Sequence, residues 1–252
     1  MSSERTILIT NDDGIRSDGI EALKNSLEGL GQVIMVAPDQ EQSASSHAIT
    51  LDKPLRITEY SNSVFGVSGT PTDCVILAVH GILKRKPDLL LSGINHGPNM
   101  GEDVNYSGTV AAALEGFILG IPSIAVSIAS WENVPLDAAA KASRYLAGKM
   151  SDLDASINRI WNINVPPLPA DEIKGIKITK LGSRVYNDLI IKKTDPRGKD
   201  YFWIGGGEPG WSYEENTDFA AVTDGYISVS PLSVDLTDYK DIFELKKLEF
   251  EW

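Results

Sequence analysis

The sequence predicts an α/β fold with a doubly wound, mostly parallel sheet. Three observations carry this. Short β-rich apolar runs, too short for helices, recur along the first half of the chain. Segments whose apolar residues repeat at helical spacing separate them. Polar, Gly-rich stretches follow several of the apolar runs, as ligand loops follow the strands of such a sheet.

Residues 6–10 (Thr-Ile-Leu-Ile-Thr) read as a buried strand, followed by the turn Asn11-Asp12-Asp13-Gly14. Ile20, Leu23, Leu27 and Leu30 then mark one face of a helix. Residues 32–38 form a second buried strand, and residues 39–46 a polar loop. Residues 48–60 show strand-like stretches around Pro54. Thr70-Pro71-Thr72-Asp73 combines a Thr cap, Pro at the first helical position and an acid at the third, so a helix starts there and runs through Val79 and Leu83. Residues 88–94 form another buried strand ending at Asn95, and residues 96–106 a Gly-rich loop. Ser107 caps a helix through Val110, Leu114 and Phe117. A strand over 121–127 and an Ala-rich helix over 136–150 complete the alternation. Beyond Lys180 the texture changes: residues 201–204 and 226–229 read as strands between Gly- and Pro-rich turns, and the tail from 236 on is charged but carries Tyr239, Ile242, Phe243 and Leu245.

The 252 residues carry 23 Lys plus Arg against 35 Asp plus Glu, a net charge of −12. With 42% hydrophobic residues, this describes a soluble globular chain and excludes a disordered or collagen-like one. Duplex nucleic acid is not an expected partner, because a strongly acidic surface gains no counterion release from a phosphate backbone. A small anion stays admissible where a bound cation reverses the local sign. The single cysteine, Cys74, excludes an internal disulfide and a Cys-rich zinc site, and reads as a small buried hydrophobe. The chain begins without a secretory apolar region, and residues 110–130 are broken by Glu115, Gly116, Gly120 and Pro122, so no membrane span and a cytoplasmic location are expected.

The predicted strand ends concentrate the chemistry. Asp12 and Asp13 are adjacent carboxylates, which repel each other unless a cation lies beside them. The oxygen donors on the neighbouring ends suit Mg²⁺ or Mn²⁺ better than zinc. The competing structural reading is that Asp12 caps a turn and Asp13 is solvated. Ser107-Gly108-Thr109 opens a helix and offers free amides to an anion, or is simply an N-cap. A metal centre beside an anion-binding helix start suits phosphoryl chemistry. Other phosphate and hydrolase signatures are absent. The first turn lacks Gly-x-Gly-x-x-Gly, no Walker A loop occurs, the Asp-x-Asp of an aspartyl-phosphate enzyme is out of place, and Gly-x-Ser-x-Gly is missing.

These residues resemble the SurE (survival protein) family of metal-dependent 5′/3′-nucleotidases. The likeness runs from Ile7 through Asn11-Asp12-Asp13-Gly14-Ile15, Val36-Ala37-Pro38 to Ser43, Gly69-Thr70-Pro71-Thr72-Asp73, Ser92-Gly93-Ile94-Asn95, Gly97-Pro98-Asn99 and Tyr106-Ser107-Gly108-Thr109 to Asp224-Gly225-Tyr226 and Ser230-Pro231-Leu232. The resemblance implies a Rossmann-like three-layer core over residues 1–180. It also implies an extended C-terminal arm and helical tail over 181–252, part of the same domain and used to form a homodimer or homotetramer. The implied activity is hydrolysis of nucleoside monophosphates, with exopolyphosphatase activity in some members. By the same resemblance Asp12, Asp13, Ser43 and Asn95 match the ligands of one divalent cation, and Asn99, Ser107, Gly108 and Thr109 match the phosphate-binding segments. A catalytic role for Asp12 or Asp13, orienting the attacking water, follows. A non-catalytic nucleotide- or metal-binding regulator on the same fold is the alternative.

The three histidines receive no family role. His96 is expected on a surface loop, His47 lies four residues after Ser43, and His80 lies in a helix. Trp131, Trp161, Trp203, Trp211 and Trp252 are expected to pack or to lie in interfaces rather than to stack on bases, Trp203 and Trp211 in the arm.

Overall fold

A computed structural model describes residues 5–154, 157–185, 190–204 and 210–250. Trp252 lies outside the described residues. The main sheet has nine strands: β1 (Thr6–Thr10), β2 (Gln32–Pro38), β3 (Ile57–Ser61), β4 (Val64–Val67), β5 (Leu89–His96), β6 (Ser123–Ile128), β7 (Ile160–Val165), β8 (Ile176–Ile178) and β13 (Ile227–Pro231). Their order is β3-β4-β2-β1-β5-β6-β7-β13-β8. From β4 to β7 every neighbouring pair is parallel, while β3 and β13 run antiparallel to β4 and β7. The sheet is therefore mixed and mostly parallel.

Helices cover both faces, as a parallel sheet requires. Successive side chains of β1 point to opposite faces. Ile7 and Ile9 join one core with Ile20 and Leu23 of α1 (Asp18–Ser26) and Leu146 of α4 (Asp137–Ser151). Leu8 joins a second with Val75 of α2 (Pro71–Leu77) and Val110 of α3 (Gly108–Ile118). Cys74 is buried in this second core, as expected. Thr70 and Asp73 form the capping box that starts α2, and the Ser107 hydroxyl accepts from the Val110 amide at the start of α3.

The structure departs from the sequence expectations at several elements. The first helix ends at Ser26, and Leu30 packs against the core from the following turn. Of residues 48–60, only the part from Ile57 pairs as a strand. The helix begun at Pro71 passes into a π-helical segment at Ala78–Leu83, where His80 is exposed. Strands β7 and β8 had no counterpart in the sequence reading.

The largest difference concerns the region beyond Lys180. Strands β9 (Arg184–Val185), β10 (Ile190–Thr194), β11 (Asp200–Ile204) and β12 (Gly210–Trp211) form two small antiparallel pairs, β10–β11 and β9–β12, outside the main sheet. The chain then returns to the core. Helix α5 (Asp218–Thr223) is buried along its first turns, and β13 inserts between β7 and β8. A core ending near residue 180 is thus too short, because Ile227 and Val229 are core residues. Helix α6 (Tyr239–Leu245), in the tail, buries none of its residues.

Asp218 fastens the returning segment. Its buried carboxylate accepts from the backbone amides of Gly101 (2.8 Å), Gly182 (2.8 Å) and Phe219 (2.9 Å). Burial pushes its pKa up, and these three donors oppose that. Replacing Asp218 with Ala leaves three buried donors without an acceptor. Urea unfolding should register a loss on the order of 3 kcal/mol, with a smaller loss for Asp218→Asn, which keeps one acceptor oxygen.

Candidate active site

The sheet winds in one direction from β1 through β2 to β4 and in the other from β5 to β7, so β1 and β5 flank its switch point. Ligands of open α/β sheets bind outside the strand ends at such a point. The sequence places Asn11-Asp12-Asp13-Gly14 after β1 and Asn95 near the end of β5.

Asn11 builds the turn. Its amide donates to the Gly14 carbonyl (3.0 Å) and to the Ser17 hydroxyl (2.7 Å), and Ser17 caps α1. The backbone of Asp12 and Asp13 is thereby held between strand and helix. Asp12 is 5% exposed. Its carboxylate accepts hydrogen bonds from the Thr109 hydroxyl and the Thr109 amide at the start of α3. Burial raises its pKa against those donors. A Cβ on Gly108 would fall 2.8 Å from the Asp12 Cβ, so glycine is what allows the helix start to approach this closely.

Asp13 is half-buried and accepts from the His96 amide. Its pKa is pushed up to about 6, first by burial and then by the charge of Asp12. Its Oδ2 is buried without a hydrogen-bond partner. Among the described residues, no Lys, Arg or His forms an ion pair with Asp12 or Asp13. Nor does any group of three or more His, Cys, Asp or Glu occur there that could hold a metal. A cation at this place would complete its shell from neutral oxygens, and such oxygens are present. Asn95 donates its Nδ2 to the carbonyls of Gly97 (2.8 Å) and His96 (3.3 Å), which leaves Oδ1 as its remaining oxygen. The loop carrying Ser43 is tied to the site, since the Gln42 amide donates to the Asp12 carbonyl at 2.7 Å. Ser43 itself is exposed and donates to Glu41 at 2.6 Å. An unpaired oxygen on a crowded carboxylate pair, with hydroxyl and amide oxygens on the adjoining loops, offers the kind of donors a hard divalent cation takes.

Of the residues expected to bind phosphate, Asn99 is held most firmly. Its amide N–H donates to Asn164 Oδ1 (2.9 Å), and its carbonyl accepts from Asn162 (2.7 Å) and Asn164 (2.9 Å). Its side-chain Nδ2 donates to Ser127 at 2.8 Å. Ser107 serves as the cap of α3. Thr109 differs from the expectation, because its hydroxyl and amide both go to Asp12. In this arrangement it positions a carboxylate.

Several neighbours have contacts that the sequence did not foretell. Glu41 adds negative charge that raises the pKa of both aspartates, and its place two residues before Ser43 was the available signal. His47 pairs with the buried Glu115 of α3 at 2.9 Å. Asn162 and Asn164 lie on β7, which the pattern did not reveal.

The family model described as Survival protein SurE matches residues 7–188. A protein of Gemmatimonas aurantiaca named 5′-nucleotidase SurE is 51% identical over 240 residues, covering 94% of this chain and 95% of its own. A protein of the same name from Syntrophotalea carbinolica is 48% identical over 236 residues, covering 93% of each chain. The crystal structure of the SurE protein from Aquifex aeolicus superposes with a TM-score of 0.86 at 46% identity, covering 96% of this chain and 98% of that one.

The raised Asp13 pKa has a measurable consequence. The folded chain binds this proton more tightly than the unfolded chain, whose aspartates titrate near 3.8. The contribution is present below that value and is lost as pH rises to about 6. In EDTA, thermal melts between pH 4 and 7 should show this loss in the native chain, and Asp13→Asn should flatten it. An identical pH profile in the variant would contradict the assignment.

Proposed function

The chain belongs to the SurE family, and from that premise we propose that it is a metal-dependent nucleotidase. It hydrolyses nucleoside 5′- and 3′-monophosphates to nucleoside and phosphate, with exopolyphosphatase activity as a further substrate range. The observation that carries the reading is the Asp12–Asp13 pair at the switch point, Asp12 buried and Asp13 half-buried, with an unpaired oxygen and, among the described residues, no cationic side chain paired to it. The relatives named 5′-nucleotidase SurE span nearly the whole chain, which supports the same reading.

Asp12, Asp13, Ser43 and Asn95 would hold one Mg²⁺ or Mn²⁺. When bound, such an ion neutralises phosphate charge and acidifies a water molecule. Thr109 keeps Asp12 oriented through two donors. The phosphate lies against the Gly108 amide, Ser107 and the second N–H of the Asn99 side-chain amide. One aspartate oxygen orients the attacking water and accepts its proton. No phosphoenzyme forms, because no side chain here is placed as the nucleophile of an aspartyl-phosphate enzyme.

The fold reading is a Rossmann-like three-layer core with an extended oligomerisation arm. The β10–β11 hairpin supports the arm: every residue of its two strands is exposed, including Ile190, Phe202, Trp203 and Ile204. An isolated two-stranded ribbon with apolar residues on it is not stable alone in water. We assign it, with the exposed tail around Tyr239 and Phe243, to a homodimer or homotetramer contact. Among the described residues no helix is long and apolar enough to cross a membrane. A cytoplasmic setting without membrane or duplex nucleic acid completes the proposal.

Phosphate release from a panel of 5′- and 3′-monophosphates with Mg²⁺ or Mn²⁺, and EDTA as control, tests the activity. Asp12→Asn should reduce it by more than about a hundredfold, and Thr109→Val by about ten- to a hundredfold through weaker metal binding. Chelator-insensitive turnover at full rate in Asp12→Asn would sink the proposal. Binding of a monophosphate without release would favour a non-catalytic regulator. Replacing residues 190–204 by a short Gly-Ser linker should leave a monomer in sedimentation; an unchanged assembly would exclude the hairpin as its contact.

A further inference from the structure

A cavity of about 380 Å³ opens at the carboxyl ends of β5, β6 and β7, on the same edge of the sheet as Asp12 and Asp13. Pro98 and Met100, the two chain neighbours of Asn99, line it, so it begins where the phosphate-binding stretch ends. Its other walls include Trp131 from the segment after β6, Trp211 of β12 and Phe219 of α5.

The aromatic residues are arranged differently from core packing. Trp131 lies directly over Gly97, where a Cβ would stand 2.3 Å from the indole. Gly97 also has φ +108°, a conformation that side-chain-bearing residues rarely adopt. The same Gly97 accepts the Asn95 hydrogen bond at 2.8 Å, which fixes the indole close to the proposed metal ligands. Trp131 nevertheless remains 68% exposed, so most of its surface is left for a ligand. Trp211 is held rigidly by stacking on Phe219, with centroids 5.0 Å apart and planes 12° from parallel. One ion pair, Asp103 with Arg184, supplies polar groups to the cavity.

We propose that this cavity is the nucleobase subsite, with Trp131 as the ring on which the base stacks. The inference rests on the nucleotidase reading and deepens it. A base attached through ribose to a phosphate at Asn99 would extend from the Asn99 turn toward the cavity. Its flat apolar faces match indole surface, and its edge can hydrogen-bond to the Asp103–Arg184 pair. A polyphosphate tail does not fit this cavity, because its arginine is already neutralised by Asp103. Trp131 and Trp211 are therefore assigned to the ligand rather than to packing or the arm interface alone.

Adenosine, which carries base and ribose without phosphate, provides the test on the full-length protein. Isothermal titration in EDTA should show binding that weakens about tenfold in Trp131→Ala and stays within about threefold in Trp131→Phe, which keeps an aromatic face. Thr223→Trp, a substitution at an exposed lining residue, should block adenosine by filling the cavity. The KM for AMP should rise in Trp131→Ala by a similar factor. No binding of adenosine to the native protein, or equal binding in Trp131→Ala, overturns the subsite. Adenosine binding without any phosphate release from AMP in Mg²⁺ or Mn²⁺ supports the subsite and overturns the nucleotidase reading instead.

Discussion

Two carboxylates on consecutive residues at the end of a buried strand are the constraint around which this structure is organised. Asp12 and Asp13 sit too close to ionise independently, and burial makes the repulsion more costly. The chain answers with backbone and hydroxyl donors instead of countercharge. The start of α3 gives Asp12 the Thr109 hydroxyl and amide, and the β5 turn gives Asp13 the His96 amide. Glycine at position 108 follows from the same demand, since a side chain there would collide with Asp12. Hydrogen bonds partly compensate the negative charge and leave Asp13 Oδ2 unpaired. That residual imbalance is what the proposed cation would offset.

The second half of the chain supports the site from behind. Strand β7 brings Asn162 and Asn164 under Asn99, and both are fully buried. Buried amides need partners, and the Nδ2 groups of both, with Asn164 Oδ1, find them in the backbone of a loop that has no regular pairing of its own. Asp218 does the same for Gly101 and thereby links that loop to α5. Strand β13, beside β7, holds α5 in register through the Asp224–Gly225 turn. The wall of the aromatic cavity and the proposed phosphate-binding turn are thus parts of one packed unit. This explains why a chain that leaves the core near residue 184 must come back to it.

Much of the fold was legible because local signals agreed. Residues 6–10 and 32–38 are strands to the residue, since apolar β-rich runs between turn residues have few alternatives. The caps at Thr70 and Ser107 were legible because a helix end needs an acceptor for its free amides. Strand β7 was not legible. Its sequence Ile-Trp-Asn-Ile-Asn-Val alternates apolar residues with asparagines that look solvent-facing, yet Asn162 and Asn164 point into the protein because Asn99 waits there. Strand β13 was recognisable as a strand, but its position between β7 and β8 depends on pairings far apart in sequence.

The sequence by itself determined the family resemblance, the parallel α/β core and the polar residues at its strand ends. Those features rest on local patterns: periodicity, caps and an acidic turn after an apolar run. Only the tertiary structure decided which donors each aspartate receives, and that Thr109 serves Asp12. It also decided that residues 217–231 belong to the core and that Trp131 lies over Gly97 beside an open cavity. These depend on which strands become neighbours and how closely two backbones approach, quantities set by packing the whole chain.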